Sequence, residues 1–158
     1  MRFETKLDTF GKITSGCIVL LTLGLLYTGF VDPAKPVYVG GAILLVVVLI
    51  SLGLSPRSYS IEEGQLIIHR LVGQKRIPLA SITAARHLDR SELGIVMRTM
   101  GIGGLFGYIG SFHSSKIGHY SSWTTNRDSL VLIETADKKY MISPTDYDGF
   151  LRAFQQAK

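Results

Sequence analysis

His87 and Asp89 stand two apart in the stretch "HLDR". On an extended strand that spacing puts both side chains on one face, where a carboxylate can orient an imidazole for acid–base work. Nucleophilic catalysis also needs a hydroxyl or thiol within reach of the ring, a property of the fold rather than of the spacing. The plainer reading is a polar pair on a strand face. His113 and His119 are six apart, His69 and His87 lie farther off, and the single cysteine, Cys17, sits in an apolar run. With no second cysteine and no H-E-x-x-H, the spacing predicts no metal site. No intrachain disulfide can form.

The segment "GIGGLFGYIG", residues 101–110, carries five glycines. A phosphate-binding loop would need a closing GK[ST], because the lysine and hydroxyl handle phosphate and magnesium. None is present, the G-x-G-x-x-G reading fails at Phe106, and no amphipathic helix follows to offer its N-terminus. As a membrane span the segment is too short and is bracketed by Arg98 and Lys116. The glycines therefore read as the start of a strand, giving a bulge and close packing, with Leu105, Phe106, Tyr108 and Phe112 as apolar anchors. If Phe106 and Tyr108 point inward, the segment is scaffold. If they lie exposed beside Arg98 and Lys116, it is a binding surface.

Arg86, Arg90, Arg98 and Lys116 flank this segment, interleaved with Asp89 and Glu92. The plain reading is a solvated, mixed-charge surface. The functional reading is attraction to anionic lipid headgroups, which a membrane tether would amplify. Arg86, Arg90, Arg98, Phe106, Tyr108 and Lys116 make up the candidate binding surface. No catalytic residue, metal ligand or cofactor is expected. Net charge is +5, and from Ser55 onward 13 Lys/Arg face 9 Asp/Glu. That bias suits an anionic membrane nearby and is too small to argue for nucleic acid.

The elements that must position these residues begin with two uncharged runs, residues 13–30 and 37–54. Each would span roughly 27 Å as a helix, near the thickness of a bilayer's hydrocarbon core. In a chain of 158 residues with 46% apolar content, too little protein remains to wrap two such helices. They are expected to form a transmembrane hairpin over residues 13–54. "VDPAKP", residues 31–36, should supply its tight turn. A cleaved signal peptide fits poorly, since no A-x-A-like site follows the first run and a second span does. Arg2, Lys6 and Lys12 precede the spans and Arg57, Arg70, Lys75 and Arg76 follow them, while only Lys35 lies between. The arm 1–12 and the region 55–158 should thus both be cytoplasmic.

From Ser58 the period becomes two. "SYSIEEGQLIIHRLVG" reads as strand, turn and strand about Glu63-Gly64. "KRIPLASI" reads as an extended piece with Pro78 at an edge or end, and "TAARHLDR" as a fourth strand. "IGHYSSWTT", "SLVLIETA" and "KKYMISP" complete about seven strands. Tyr147, Phe150, Leu151 and Phe154 then fall on one helical face. Ser143 is expected as N-cap, Pro144 as first helical residue and Asp146 as partner of the capping signal. The helix stripe should cover an apolar opening in the sheet.

These patterns carry a resemblance. "GGLFGYIGSFHSSKIGHYSSWTTN" followed by "VLIETADKKYMISPTDYDGFL" resembles the bacterial PH-like (pleckstrin-homology-like) domain family. The shared features are the G-L-F-G-Y-x-G-x-F segment at Gly104–Phe112, Gly118 with Tyr120, Thr125-Asn126, and Ile142-Ser143-Pro144 with Asp146 and Phe150. The resemblance covers about residues 57–156 and implies a β-barrel of about seven antiparallel strands capped by the C-terminal helix. Membrane helices precede the domain in many such proteins. The expected whole is a membrane-anchored α+β protein of the bacterial inner (cell) membrane. The resemblance implies little about activity; with the two spans and the charge bias it leads to a non-catalytic binding module that docks a protein partner or self-associates, with binding of anionic lipid headgroups as the alternative and an enzyme as the less favoured reading. The fold hosts many unrelated partners, so it names none of them.

Overall fold

In the computed structural model, which describes residues 1–32 and 36–158, the first helix starts at a cap. The Asp8 carboxylate accepts the Gly11 backbone N–H at 2.7 Å, satisfying a donor that a helix N-terminus leaves open. Helix α1 runs Thr9–Val31 and α2 runs Val37–Leu54. The first helix thus begins before residue 13, because the cap rather than the last charge sets its start. The expected turn over 31–36 falls on Pro33, Ala34 and Lys35, outside the described residues.

The two helices pack antiparallel through small residues. Gly29 lies against Tyr38, and Gly41 against Leu25 and Leu26, so closely that a Cβ at Gly29 would collide with the tyrosine. Gly11, Ser15, Thr22 and Gly29 are the buried residues of α1. Leu20, Leu21, Leu23, Phe30, Ile43 and Leu49 point outward. Both helices are long and apolar enough to cross a membrane. Small residues inside and large apolar ones outside is how helices associate where the solvent is itself apolar.

The expected closed barrel is replaced by two sheets. Strands β1 (Arg2–Glu4), β2 (Pro56–Glu62), β3 (Gln65–Arg70) and β4 (Gln74–Pro78) form one sheet in chain order. Strands β5 (Ile82–Leu88), β6 (Val96–Gly103), β7 (Tyr108–Ser114), β8 (Gly118–Thr124), β9 (Leu130–Thr135) and β10 (Lys139–Ile142) form the other, in the order β5-β9-β10-β8-β7-β6. Closure would need both edges of one sheet to pair with those of the other, β4 with β5 among them. Instead a short 3-10 turn, Leu79–Ser81, carries the chain from one sheet to the other. Nor is the pairing wholly antiparallel, since β10 runs parallel to β8. The described residues make ten strands rather than about seven; β1 and β6 had no expected counterpart, and β7 is the strand that the glycine segment was expected to start.

The main core lies between the sheets, with Tyr59, Leu66 and Ile68 from one and Val131, Ile133 and Ile142 from the other. Tyr59 is fully buried, and its hydroxyl links the layers: it donates to the Trp123 carbonyl at 2.7 Å and accepts the Ser143 N–H at 3.1 Å. Helix α3 (Tyr147–Ala157) covers the open end with Phe150, Ala153 and Phe154, each large apolar side chain contributing about 1.5–3 kcal/mol by leaving water. Phe150 meets Phe3 of β1 edge-on, with ring centroids 5.4 Å apart.

The α3 cap differs from the sequence expectation. Asp146, not Ser143, is the N-cap, accepting the Gly149 N–H at 2.8 Å. Pro144 lies before the helix. Ser143 is fully buried and its hydroxyl instead accepts the N–H groups of Thr125 and Asn126, at 2.9 and 3.2 Å. It pins the chain leaving β8 to the end of β10.

Candidate functional site

The glycine segment is a complete hairpin rather than the start of one strand. Gly101-Ile102-Gly103 ends β6, Gly104–Gly107 makes the turn, and Tyr108 begins β7. The Gly104 N–H donates to the Gly107 carbonyl at 2.9 Å. Gly101 and Gly110 face each other across the ladder, and a Cβ on either would strike the opposing backbone. Both also have positive φ, at 122° and 128°. Glycine is required at this pair by conformation and by space.

The hairpin tip docks on both helices. Phe106 has φ 55°, the left-handed region that a bulky residue seldom occupies. That conformation turns both of its backbone groups toward the helices. Its N–H donates to the Ser15 hydroxyl of α1 at 2.9 Å, and its carbonyl accepts from Ser55, at the end of α2, at 2.6 Å. Ser15 and Ser55 are both buried.

Asp8 is the second point of attachment. Besides capping α1 it accepts the Tyr108 hydroxyl at 3.1 Å and pairs with Arg127 at 3.1 Å. The Arg127 guanidinium lies over the rings of Phe10 and Tyr108, 4.9 and 4.7 Å from their centroids. Burial first, then the Asp8 charge, pushes the Tyr108 hydroxyl up to about 12, so it stays a donor at neutral pH. Residues 5–8 follow the Thr125 edge: Thr5 bonds the hydroxyl of Thr125 and the carbonyl of Ser143, and the Asp8 N–H donates to the Thr125 carbonyl.

The face of the six-stranded sheet turned away from the main core carries a second cluster: Leu88, Leu93, Phe112, Tyr120, Leu130, Leu132 and Met141. A cavity of about 380 Å³ opens there, with Arg90, Arg127 and Tyr108 among its lining residues.

The six candidate residues do not form one surface. Arg90 and Tyr108 meet at the cavity. Arg86 instead pairs with Glu92 at 3.0 Å, both side chains about half exposed. Glu92 lies below the usual carboxylate range, first because it accepts the Asp89 N–H and then because of Arg86. Lys116 donates to the Ser91 carbonyl, and Arg98 is exposed on β6 beside Gly103. Phe106 belongs to the helix attachment. His87 and Asp89 approach to 3.5 Å, but the imidazole stacks on Tyr147 with centroids 4.1 Å apart. No hydroxyl or thiol among the described residues bonds to that ring.

Asp8, Ser15, Ser55 and Arg127 were missed in the sequence. Asp8 carried a readable signal, an N-cap residue just ahead of an apolar run. Ser15, Ser55 and Arg127 acquire their roles only through contacts distant in the chain.

A family model described as Bacterial PH domain matches residues 57–158. A search of curated proteins and a search of solved structures return no match.

Proposed function

The chain belongs to the bacterial PH domain family, and from that premise we propose that it is a membrane-tethered interaction module, holding its PH domain against the cytoplasmic face of the cell membrane. The observation that carries this reading is the double attachment of the hairpin tip: Phe106 is bonded to Ser15 of α1 and to Ser55 after α2. A domain fastened to both helices is held in one orientation rather than swinging on a linker. The outward-facing leucines and phenylalanine of the helices support insertion in lipid. Residues 2–4 and 56–62 share one sheet, which supports both ends of the hairpin leaving the bilayer on one side. The excess of Lys and Arg at those ends supports that side being the cytoplasm.

The module binds rather than catalyses. Its exposed docking edge is β6, eight residues long with Arg98 as its one charge and Met97 and Met100 largely exposed. The other three edges are blunted or covered: β1 has three residues, β4 carries Lys75, Arg76 and Pro78, and β5 is met by the C-terminal helix, with Tyr147 stacked on His87 and Lys158 donating to the Thr83 carbonyl. An extended segment of a protein partner, or of a second copy, would add to β6 as a strand.

The test is cross-linking in native membranes with Cys17→Ser, Met97→Cys. An adduct of twice the chain's mass means self-association, and one of another mass means a protein partner. Absence of any adduct, with the control Glu63→Cys behaving alike, would overturn docking at β6.

A second reading, binding of anionic lipid headgroups, is favoured by Arg90, which has no carboxylate partner among the described residues and borders the cavity.

A further inference from the structure

We infer that the cavity on the outer face of the six-stranded sheet holds a single-chain anionic amphiphile, its acid group at Arg90 and Arg127 and its chain along the apolar floor. This deepens the lipid reading and rests on it only for where the ligand comes from. The volume, about 380 Å³, falls in the range of small-molecule sites. Its lining is divided. Leu93, Phe112, Leu130 and Met141 make an apolar floor. Arg127 lies over the Tyr108 ring, and the Tyr108 hydroxyl feels the charges of both Arg127 and Arg90.

The floor asks for no polar partner at its hydroxyls. Ser122 donates to the Tyr108 carbonyl at 2.7 Å, and Thr124 bonds Ser122 at 3.1 Å. A sugar or nucleoside would waste its own polar groups against such a surface, each left unpaired at a cost. An alkyl chain would not.

The charge balance sets the other end. Arg127 carries its counter-charge already, since Nε is paired with Asp8. Among the described residues Arg90 makes no ion pair or hydrogen bond. One uncompensated positive charge therefore remains, matched by one negative charge: a carboxylate or a phosphodiester. The guanidinium forks suit either oxyanion. Arg127 also lies over Phe10 in the first turn of α1. On the membrane reading that turn is at the bilayer surface, where amphiphiles with this chemistry reside.

The experiment is equilibrium binding of radiolabelled dodecanoate to the full chain in phosphatidylcholine nanodiscs, with empty nanodiscs as background. Dodecyltrimethylammonium serves as the cationic control. Two variants are compared, Arg90→Glu at the rim and Val96→Trp at the mouth. Both positions are exposed, so folding should survive, which circular dichroism checks. The expected result is saturable dodecanoate binding, weakened about tenfold or more by Arg90→Glu and abolished by Val96→Trp. The cationic control should not bind. Adding lysophosphatidylglycerol, a single-chain phosphodiester, to the nanodiscs separates the sources: competition assigns the site to a membrane lysolipid, and its absence to a free carboxylate. Equal binding of the cation, or dodecanoate binding untouched by both variants, would overturn the inference. Failure of the helices to insert would appear instead in labelling of the intact cell, independently of this titration.

Discussion

The backbone N–H of Phe106 donates to the Ser15 hydroxyl at 2.9 Å, joining residues 91 positions apart. The bond explains why a phenylalanine holds a left-handed conformation at a hairpin tip. The strain, of order 1 kcal/mol or more, is offset by the bonds to Ser15 and Ser55. Replacing Ser15 by Ala leaves that partly buried N–H unpaired, at up to about 1–3 kcal/mol. The expected result of Ser15→Ala is faster hydrogen exchange at Phe106, with the amides of β9 and β10 unchanged. Unchanged exchange at Phe106 would mean that the hydroxyl holds nothing in place.

Gly101 and Gly110 face each other in positive-φ conformations with opposing backbone in the way of any Cβ. Gly101→Ala should cost about 3 kcal/mol or more by combining strain with overlap. Gly64→Ala is the contrast. Its φ is also positive, at 70°, but nothing lies within 4 Å of the added carbon. Its cost should be nearer 1 kcal/mol. Denaturant melts of the two variants check the order.

Tyr108 and Tyr120 are both pushed up to about 12, chiefly by burial. An unfolded tyrosine loses its proton near pH 10. Between about pH 10 and 12 the unfolded chain therefore binds fewer protons than the folded one, and stability falls as pH rises. The contribution is intact below pH 10 and gone once pH has passed about 12. Tyr108→Phe should flatten that slope and also lose the bond to Asp8. Thermal melts from pH 8 to 12, alongside the tyrosinate absorbance, measure both.

The α3 cap can be tested against Ser143 directly. Asp146→Ala should cost about 1 kcal/mol and fray the first turn of α3. Ser143→Ala should leave that turn intact and instead free the amides of Thr125 and Asn126, again at about 1–3 kcal/mol. Residue-resolved hydrogen exchange separates the two outcomes.

What was legible in the sequence was whatever depends on local period. The second helix, Val37–Leu54, matches its uncharged run residue for residue. The strands about Glu63-Gly64, and those in "SLVLIETA" and "KKYMISP", follow from alternation and turn residues. The family resemblance over residues 57–156 agrees with the matched region 57–158. Long-range pairing was illegible. The residues Arg2–Glu4 are too few to show a strand period, and become one only because β2 offers an edge. Strand β6, "VMRTMGIG", is interrupted by a bulge near Thr99 and by glycines, so its alternation is broken. Ser143 carried a correct-looking cap signal, but a buried serine bonds whichever backbone donors the fold brings to it, here those of Thr125 and Asn126. The spatial grouping of the candidate residues was illegible in the same way. Arg86, Arg90, Arg98 and Lys116 are near one another in the sequence, yet Arg86 is claimed by Glu92, while Arg127 joins Arg90 from a different strand connection.

The central claim is a domain held on one side of a membrane by a two-helix anchor. Single cysteines placed in a Cys17→Ser chain test it most directly, through labelling of intact cells with a membrane-impermeant maleimide. The account predicts labelling of Pro36→Cys from outside, and of Glu4→Cys and Lys158→Cys only after the cells are opened. Labelling of position 158 on intact cells, or opposite behaviour of positions 4 and 158, would contradict it.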